Sequence, residues 1–172
     1  MTAPTDEPMM HSRLASAEDA AAIACVYNQG IEDRIATFET RPRTASDIET
    51  WFDGIHPTVV VESNGEILAF ASTSTYRPRD CYAGVAEYSV YVAREHRGKG
   101  AGRIALNALI EAADTAGFWK LVSRIFPENK ASIYLALSLG FRDVGVYKKH
   151  GKLDGVWMDV VIVERLIERN IV

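Results

Sequence analysis

The sequence has few cysteines, no long hydrophobic run and no excess of positive charge. Cys25 and Cys81 are the only cysteines among 172 residues, which disfavours a disulfide framework and favours two free thiols in a reducing compartment. No stretch approaches the roughly 20 apolar residues that span a bilayer. The net charge of -4 argues against a general nucleic-acid-binding surface. We therefore expect a cytoplasmic protein that binds small molecules, with no nucleic-acid or membrane partner.

The length fits one compact domain with one active site. Apolar residues make up 48% of the chain and charged residues 24%, the ordinary balance of a globular protein. Residues 1–10, MTAPTDEPMM, carry two prolines and two acids, which predicts a flexible leader and not a signal peptide. We expect residues 11–172 to form a single domain.

Helical and strand patterns alternate along the rest of the chain. A helix is predicted from Ser16, its N-cap, to Gly30, and a hairpin from Thr58 to Thr75 turns at Asn64-Gly65. The other predicted helices cover about Ser46–Phe52, Ile104–Ala113 and Lys130–Leu139, and the other predicted strands cover Val85–Val92, Lys120–Phe126, Val144–Lys148 and Trp157–Val163, with Lys149–Gly155 as a polar connection. This order predicts a mixed α/β (α+β) fold.

A glycine-rich loop, residues 97–103, lies between the strand at Val85–Val92 and the helix that follows it. Such a loop beside a helix N-terminus turns several backbone N–H groups toward one anion, and a pyrophosphate can approach because no Cβ intervenes. A Walker loop needs Gly-x-x-x-x-Gly-Lys-Ser/Thr, and a dinucleotide fingerprint needs Gly-x-Gly-x-x-Gly. Neither spacing is present, so both nucleotide sites are poor fits.

The spacing Arg97-x-x-Gly100-x-Gly102 instead resembles the Gln/Arg-x-x-Gly-x-Gly/Ala signature of the GNAT acetyltransferases. Asn129-Lys-Ala-Ser132 and Gly140-Phe141 resemble the second coenzyme segment of that family. The chain from about Ser12 to Val163 resembles the phosphinothricin, methionine sulfoximine and arsinothricin acetyltransferases in Tyr27-Asn28, Phe38-Glu39-Thr40, Glu87-Tyr88-Ser89-Val90-Tyr91-Val92 and Gly155-Val156-Trp157-Met158-Asp159-Val160. The resemblance implies a GNAT fold, with a mixed, mostly antiparallel twisted sheet of about six to seven strands flanked by about four helices.

The resemblance also implies acetyl-CoA as co-substrate, and no metal. Its pantetheine arm would pair with Val90, Tyr91 and Val92 like an added strand. The implied pyrophosphate contacts are Arg97, Gly98, Lys99, Gly100, Ala101, Gly102 and Arg103, and Asn129 and Ser132 would complete the coenzyme site. Relatives in this branch are typically dimers, so a homodimer is expected.

Glu87 stands at the general-base position of the family. A base is needed because amino-acid amines are mostly protonated near neutrality. An outward-facing strand acid without a catalytic role is the alternative. The resemblance further implies that the N–H of Val90 contacts the oxyanion. In the family an acid usually protonates the leaving coenzyme, but the position of that acid holds Ala136 in this chain. Tyr134 should point away from Ala136, because two residues turn a helix by about 200°.

The acceptor site is predicted from one loop and from the family likeness. Arg77-Pro78-Arg79 carries two guanidiniums, which suit an acidic acceptor, although two surface arginines are the alternative. The predicted acceptor residues are Glu32, Phe38, Arg77, Pro78, Arg79, Tyr82, Glu87, Tyr88 and Ser89, of which the aromatic residues could equally belong to the core.

Together with these residues, the resemblance implies N-acetylation of a small anionic amino-acid analogue, such as phosphinothricin, methionine sulfoximine or sulfone, or arsinothricin, which would give resistance to it. A protein N-terminus, a lysine or another small amine is the alternative acceptor. A coenzyme-binding regulatory module without catalysis is the alternative from another class, and it would tolerate the loss of Glu87.

Overall fold

A computed structural model describes residues 9–172. Its strands are β1 (His11–Leu14), β2 (Thr58–Ser63), β3 (Glu66–Thr75), β4 (Val85–Val92), β5 (Lys120–Ile125), β6 (Arg142–Leu153) and β7 (Val156–Leu166). Its α-helices are α1 (Ala20–Asp33), α2 (Ala45–Glu49), α3 (Ala101–Thr115) and α4 (Lys130–Ser138). The predicted leader falls mostly on residues 1–8, which lie outside the described residues, and Met10 already packs against the core.

The strands of this part of the chain form one sheet in the order β1-β2-β3-β4-β5-β7-β6. All neighbouring strands are antiparallel except β4 and β5, which are parallel. With four α-helices against the sheet, the predicted mixed and mostly antiparallel fold is confirmed. No helix in residues 9–172 has the length and apolar character needed to cross a membrane.

Local turn chemistry explains why the central hairpin was predictable. Asn64 and Gly65 have φ of 51° and 80°, and they join β2 to β3 as the Asn-Gly pair predicts. The first helix begins one turn later than predicted, because a 3-10 turn at Ala17–Asp19 precedes α1. There the backbone N–H of Ser16 donates to Asp19 Oδ2 at 2.8 Å.

Two edge segments differ from the sequence predictions. The predicted connection at Lys149–Gly155 is wrong, because β6 continues to Leu153 across a bulge between Tyr147 and Gly151 and turns at Asp154-Gly155. An edge strand with exposed faces needs no alternation of apolar and polar residues. The polar residues of β6 therefore gave no strand pattern in the sequence. The other edge strand, β1, was not predicted, since its four residues are all exposed and its backbone pairing with β2 carries it.

The core occupies both faces of the sheet. On one face α3 and α4 cover buried residues such as Leu106, Leu109 and Leu121. The other face carries two separate clusters, one around Phe70 and Tyr91 under α1 and α2, and one around Val85 at the other end of β4. Strand alternation places the two residues between Val85 and Tyr91 that share their face, Glu87 and Ser89, in the gap between the two clusters.

Candidate active site

A cleft opens where β4 and β5 stop pairing. Their parallel pairing ends at Glu87 opposite Val122. Just beyond it, Ser123 Oγ donates a hydrogen bond to the carbonyl of Tyr88 at 3.0 Å. The cleft is lined by Ser89, Val90 and Tyr91 from β4, Ser123, Arg124 and Ile125 from β5, Asn129, Ser132 and Leu135 around α4, and also by Ala36, Tyr88 and Leu106. The splayed strands therefore leave an edge of β4 open.

The open edge of β4 presents backbone groups to the cleft. The carbonyl of Tyr88 faces β5. The N–H and C=O groups of every second residue of a strand point to the same edge, so those of Val90 and Val92 also point to the β5 side of β4. The backbone of Val90 therefore faces the cleft, as does the carbonyl of Val92, which accepts from Arg97 Nε at 3.2 Å. An extended chain can add to such an edge as a further strand, as the pantetheine prediction requires.

The glycine loop forms an uncapped helix start at one end of this cleft. Gly98 and Gly100 have φ of 75° and 93°, and no side chain caps α3. The first bonded amide of the helix is that of Ile104, which donates to Gly100 O at 3.2 Å, so earlier N–H groups of α3 are free to bind an anion. A Cβ on Gly102 would lie 3.2 Å from Val92 Cγ2, so glycine lets α3 approach β4 closely. These features fit a pyrophosphate.

The basic residues of the loop have different roles. Arg97 Nη1 lies 2.6 Å from Asp33 Oδ2, an ion pair that braces the loop against the end of α1. Arg103 Nη1 donates to Ser138 Oγ at 2.9 Å, which braces α3 against α4. Lys99 is exposed and makes no ion pair with the described residues. The side chain of Lys99 is therefore free to bind a phosphate.

Helix α4 supplies the opposite wall. Asn129 caps it, since its Oδ1 accepts from Ser132 N at 3.2 Å, and this bond leaves its Nδ2 to donate into the cleft. Further along α4, Ala136 is fully buried whereas Tyr134 is 76% exposed. Tyr134 therefore points away from Ala136, as the helical geometry predicts.

Glu87 belongs to a polar strip on this face of the sheet, which consists of Ser72, Ser74, Glu87, Ser89 and Arg124. Its side chain is 24% exposed, and Arg124 Nη2 lies 3.0 Å from its carboxylate. Across the β3–β4 pairing Ser74 is opposite Glu87, and Ser72 is opposite Ser89. The strip therefore joins neutral hydroxyls to one acid and one guanidinium. Arg124 was missed from the sequence, although a charged residue inside the apolar strand at Lys120–Ile125 was a signal for it.

A cavity of about 360 Å³ adjoins this strip on the side of α1 and α2. Its lining residues include Ser72, Ser74 and Ser89 from the sheet and Tyr27 and Trp51 from the helical layer. A volume of this size accommodates an amino-acid-sized ligand.

The predicted aromatic walls lie at the other end of the strip. Phe38 packs edge-to-face on Phe126, with ring centroids 4.9 Å apart. Tyr82 packs against Tyr76 with centroids 5.6 Å apart, and the guanidinium of Arg77 lies 5.3 Å from the ring centroid of Tyr76. These side chains therefore form an apolar end wall for the strip.

The predicted arginine loop lies close to that wall. Arg77, Pro78 and Arg79 are exposed in the connection that leaves β3. Arg77 lies two positions after the strand end at Thr75, next to the pairing of Ser74 with Glu87. Neither arginine makes an ion pair with residues 9–172, so both guanidiniums are open to a ligand.

Two predicted acceptor residues do not join Glu87. The side chain of Tyr88 points to the opposite face because consecutive strand residues alternate, and burial against Phe141 raises its pKa. Glu32 pairs with Arg94 at 3.2 Å, beyond the end of β4. That end lies roughly 17 Å along the strand from Glu87, at 3.3 Å per residue. Both side chains are thereby removed from the polar strip.

Comparison with known proteins agrees with this geometry. Residues 25–141 match the acetyltransferase (GNAT) family. The L-methionine sulfoximine/L-methionine sulfone acetyltransferase of Pseudomonas paraeruginosa is 34% identical over 88% of this chain and 91% of its own length. The structure of yncA from Salmonella typhimurium with acetyl-CoA has a TM-score of 0.87 at 32% identity, covering 92% of this chain and 94% of its own.

A phosphinothricin acetyltransferase from Sinorhizobium meliloti, solved with acetyl-CoA, has a TM-score of 0.84 at 30% identity and covers 91% of this chain and 88% of its own. The family match spans β4, the glycine loop, α3 and α4, the elements that build the cleft. The chain therefore belongs to the GNAT acetyltransferase family.

Proposed function

We propose that this enzyme transfers the acetyl group of acetyl-CoA to the amine of a small anionic amino-acid analogue of the phosphinothricin, methionine sulfoximine or arsinothricin type. One observation carries the proposal. Glu87 lies on a polar floor at the point where β4 and β5 separate, so a base on the acceptor side adjoins the cleft on the donor side.

The donor side fits the coenzyme. Bound acetyl-CoA supplies the thioester whose acetyl carbon the amine attacks. Val90 to Val92 offer a strand edge to its pantetheine arm, and the loop from Gly98 to Arg103 offers uncapped N–H groups to its pyrophosphate. Asn129 and Ser132 line the same cleft and complete the set.

The chemistry follows from the groups around Glu87. Its carboxylate takes a proton from the ammonium, directly or through a water, and the neutral nitrogen adds to the thioester carbon to form the new C–N bond and an oxyanion, which the N–H of Val90 stabilises. The nitrogen then releases its second proton to water, and the oxyanion collapses as the C–S bond breaks. Because Ala136 is buried and Tyr134 faces away, coenzyme A leaves as a thiolate, and solvent water carries to it the second proton that the nitrogen loses, since a thiol pKa is about 8.5.

The acceptor side fits an amino acid with a second anionic or polar head. Arg77 and Arg79 have no carboxylate partner among residues 9–172 and can pair bidentately with a second anionic head. Phe38 and Tyr82 contribute apolar surface at that end of the strip. Relatives of nearly the full length are named for methionine sulfoximine and phosphinothricin, which favours such an acceptor over a protein N-terminus.

An acceptor panel and one variant test the acceptor side of the site. With acetyl-CoA and a panel of phosphinothricin, methionine sulfoximine, arsinothricin and peptides, free-thiol release should occur with at least one amino-acid analogue. Arg77→Ala should raise KM for the anionic analogues and leave KM for acetyl-CoA unchanged. Turnover of peptides alone would contradict the acceptor class, and parallel loss of both KM values would show that the variant is misfolded.

We also infer a cytoplasmic homodimer. The outer hairpin formed by β6 and β7 exposes the apolar side chains of Val144, Val146, Tyr147 and Trp157, which a second copy would cover. Two free cysteines fit a reducing compartment. Sedimentation should give a dimer for the wild type and a monomer for Val146→Lys, and a monomeric wild type would contradict the assembly.

A further inference from the structure

The ion pair between Glu87 and Arg124 lies where the polar strip meets the cleft, which Arg124 also lines. Arg124 projects from β5 on the same face of the sheet as Glu87, and its side chain is 47% exposed. Apart from Arg124, the strand consists of buried or half-buried residues. Its antiparallel neighbour on β7 is Ile162, which belongs to an apolar cluster. Within residues 9–172, Glu87 is therefore the one carboxylate that Arg124 contacts.

A base that is already paired with a guanidinium must exchange partners when the substrate arrives. The ammonium of the acceptor replaces Arg124 at the carboxylate of Glu87, because the amine needs that oxygen to lose its proton. Arg124 then needs a new anion at the same position, since the hydroxyls of Ser72, Ser74 and Ser89 are neutral. The two acids that line the adjoining cavity, Glu39 and Asp53, already pair with Arg43 and His56. An acceptor that carries both charges close together satisfies both protein groups at once.

An α-amino acid has that arrangement. Its ammonium and carboxylate are attached to one carbon, and the charged atoms of Glu87 and Arg124 are 3.0 Å apart before the substrate enters. We propose that Arg124 is a specificity-determining residue, which binds the α-carboxylate of the acceptor while Glu87 faces its ammonium. The inference rests on the proposed function and adds how the acceptor is recognised.

In this assignment, three arginines bind different groups of the acceptor. Arg77 and Arg79, on the exposed loop after β3, are free for the second anionic head of the analogue. Arg124, on the strand beside the base, takes the anion that every α-amino acid has in common. A protein N-terminus has an amide in place of that carboxylate, and so do peptides, so Arg124 selects free amino acids against them.

The test compares two acceptors that differ in this one group, methionine sulfoximine and its α-carboxamide. For the wild type, kcat/KM should favour the acid by roughly 30- to 100-fold, the effect of one charge-assisted hydrogen-bonded pair. In Arg124→Gln the acid should lose that factor and the carboxamide should change by less than about threefold, so the ratio approaches one. Arg124→Lys keeps the charge without the fork and should keep an intermediate ratio.

Controls separate recognition from folding. Arg142→Gln removes an arginine that pairs with Glu164 at 2.6 Å on the neighbouring strands, and it should leave the ratio unchanged. Dissociation constants for acetyl-CoA should be equal in all variants. An equal fall for acid and carboxamide in both Arg124 variants would overturn the proposal, because Arg124 would then only position Glu87.

The same assay distinguishes this inference from the proposed function. A wild type that acetylates acid and carboxamide with equal kcat/KM would refute the role of Arg124 and leave the acetyltransferase activity standing. A wild type that acetylates neither compound, nor any other amino-acid analogue, would refute the proposed function itself.

Discussion

Ser123 Oγ and the carbonyl of Tyr88 share a hydrogen bond of 3.0 Å at the point where the parallel pairing of β4 and β5 ends. Both groups are buried, so this bond replaces the backbone bond that the separating strands cannot make. It thereby fixes the apex of the cleft.

Ser123→Ala should open that apex. We expect a loss of about 1 kcal/mol in unfolding free energy, and an increase of a few-fold in KM for acetyl-CoA with the acceptor KM unchanged. Ser63→Ala is the matched control, because Ser63 Oγ is buried without a hydrogen-bond partner in the described part of the chain. Denaturant titrations and initial rates measure both effects, and equal behaviour of the two variants would argue against the role of Ser123.

Gly100→Ala tests the loop as an anion site. A Cβ at φ of 93° strains the turn and disturbs the free N–H groups at the start of α3, so Kd for acetyl-CoA should rise by about tenfold or more. Gly54→Ala is the control, since Gly54 has φ of 77° in an exposed turn with no atoms near its Cβ position. Calorimetric titration should show weaker binding for Gly100→Ala alone, and a similar loss in both variants would contradict the assignment.

Features of this site that depend on residues close together in the chain were predictable from the sequence. The Asn64-Gly65 turn, the glycine loop and the bounds of β4 are set by neighbouring residues, and the structure has all three. The side-chain direction of Tyr88 could also have been predicted, because alternation from Glu87 puts it on the other face.

Features that depend on long-range pairing were not accessible. Arg124 meets Glu87 only because β5 lies parallel to β4, although 37 residues separate them in the chain. Glu32 was assigned to the acceptor site from likeness, but Arg94 holds it beyond the end of β4. Edge strands β1 and β6 lacked an apolar pattern because their outer sides need none.

Tyr134 should have no part in the chemistry. Because its ring is exposed and faces away from Ala136, Tyr134→Phe should keep kcat within about twofold of the wild type. Steady-state kinetics at saturating acetyl-CoA measure this directly. A tenfold or larger fall in kcat, with Kd for acetyl-CoA unchanged, would show that this hydroxyl protonates the leaving thiolate after all.

Asp47 makes stability depend on acid pH at the start of α2. The backbone N–H of Thr44 and then Arg41 hold the pKa of Asp47 at about 2, below its ordinary value of 3.8. Its contribution is therefore present above pH 3.8 and is lost as the pH falls toward about 2. The Tm of Asp47→Asn should lie below that of the wild type at neutral pH, and the two Tm values should converge as the pH approaches about 2. The exposed Asp143→Asn should show no such convergence.

The most direct measurement is kcat/KM for thiol release from acetyl-CoA with methionine sulfoximine or phosphinothricin, in the wild type and in Glu87→Gln. The account predicts turnover by the wild type and a fall of at least about 100-fold in Glu87→Gln, with Kd for acetyl-CoA unchanged and the exposed Glu49→Gln behaving like the wild type. Full activity in Glu87→Gln would contradict the assignment of the base. No turnover of either acceptor by the wild type would contradict the proposed preference for these two analogues.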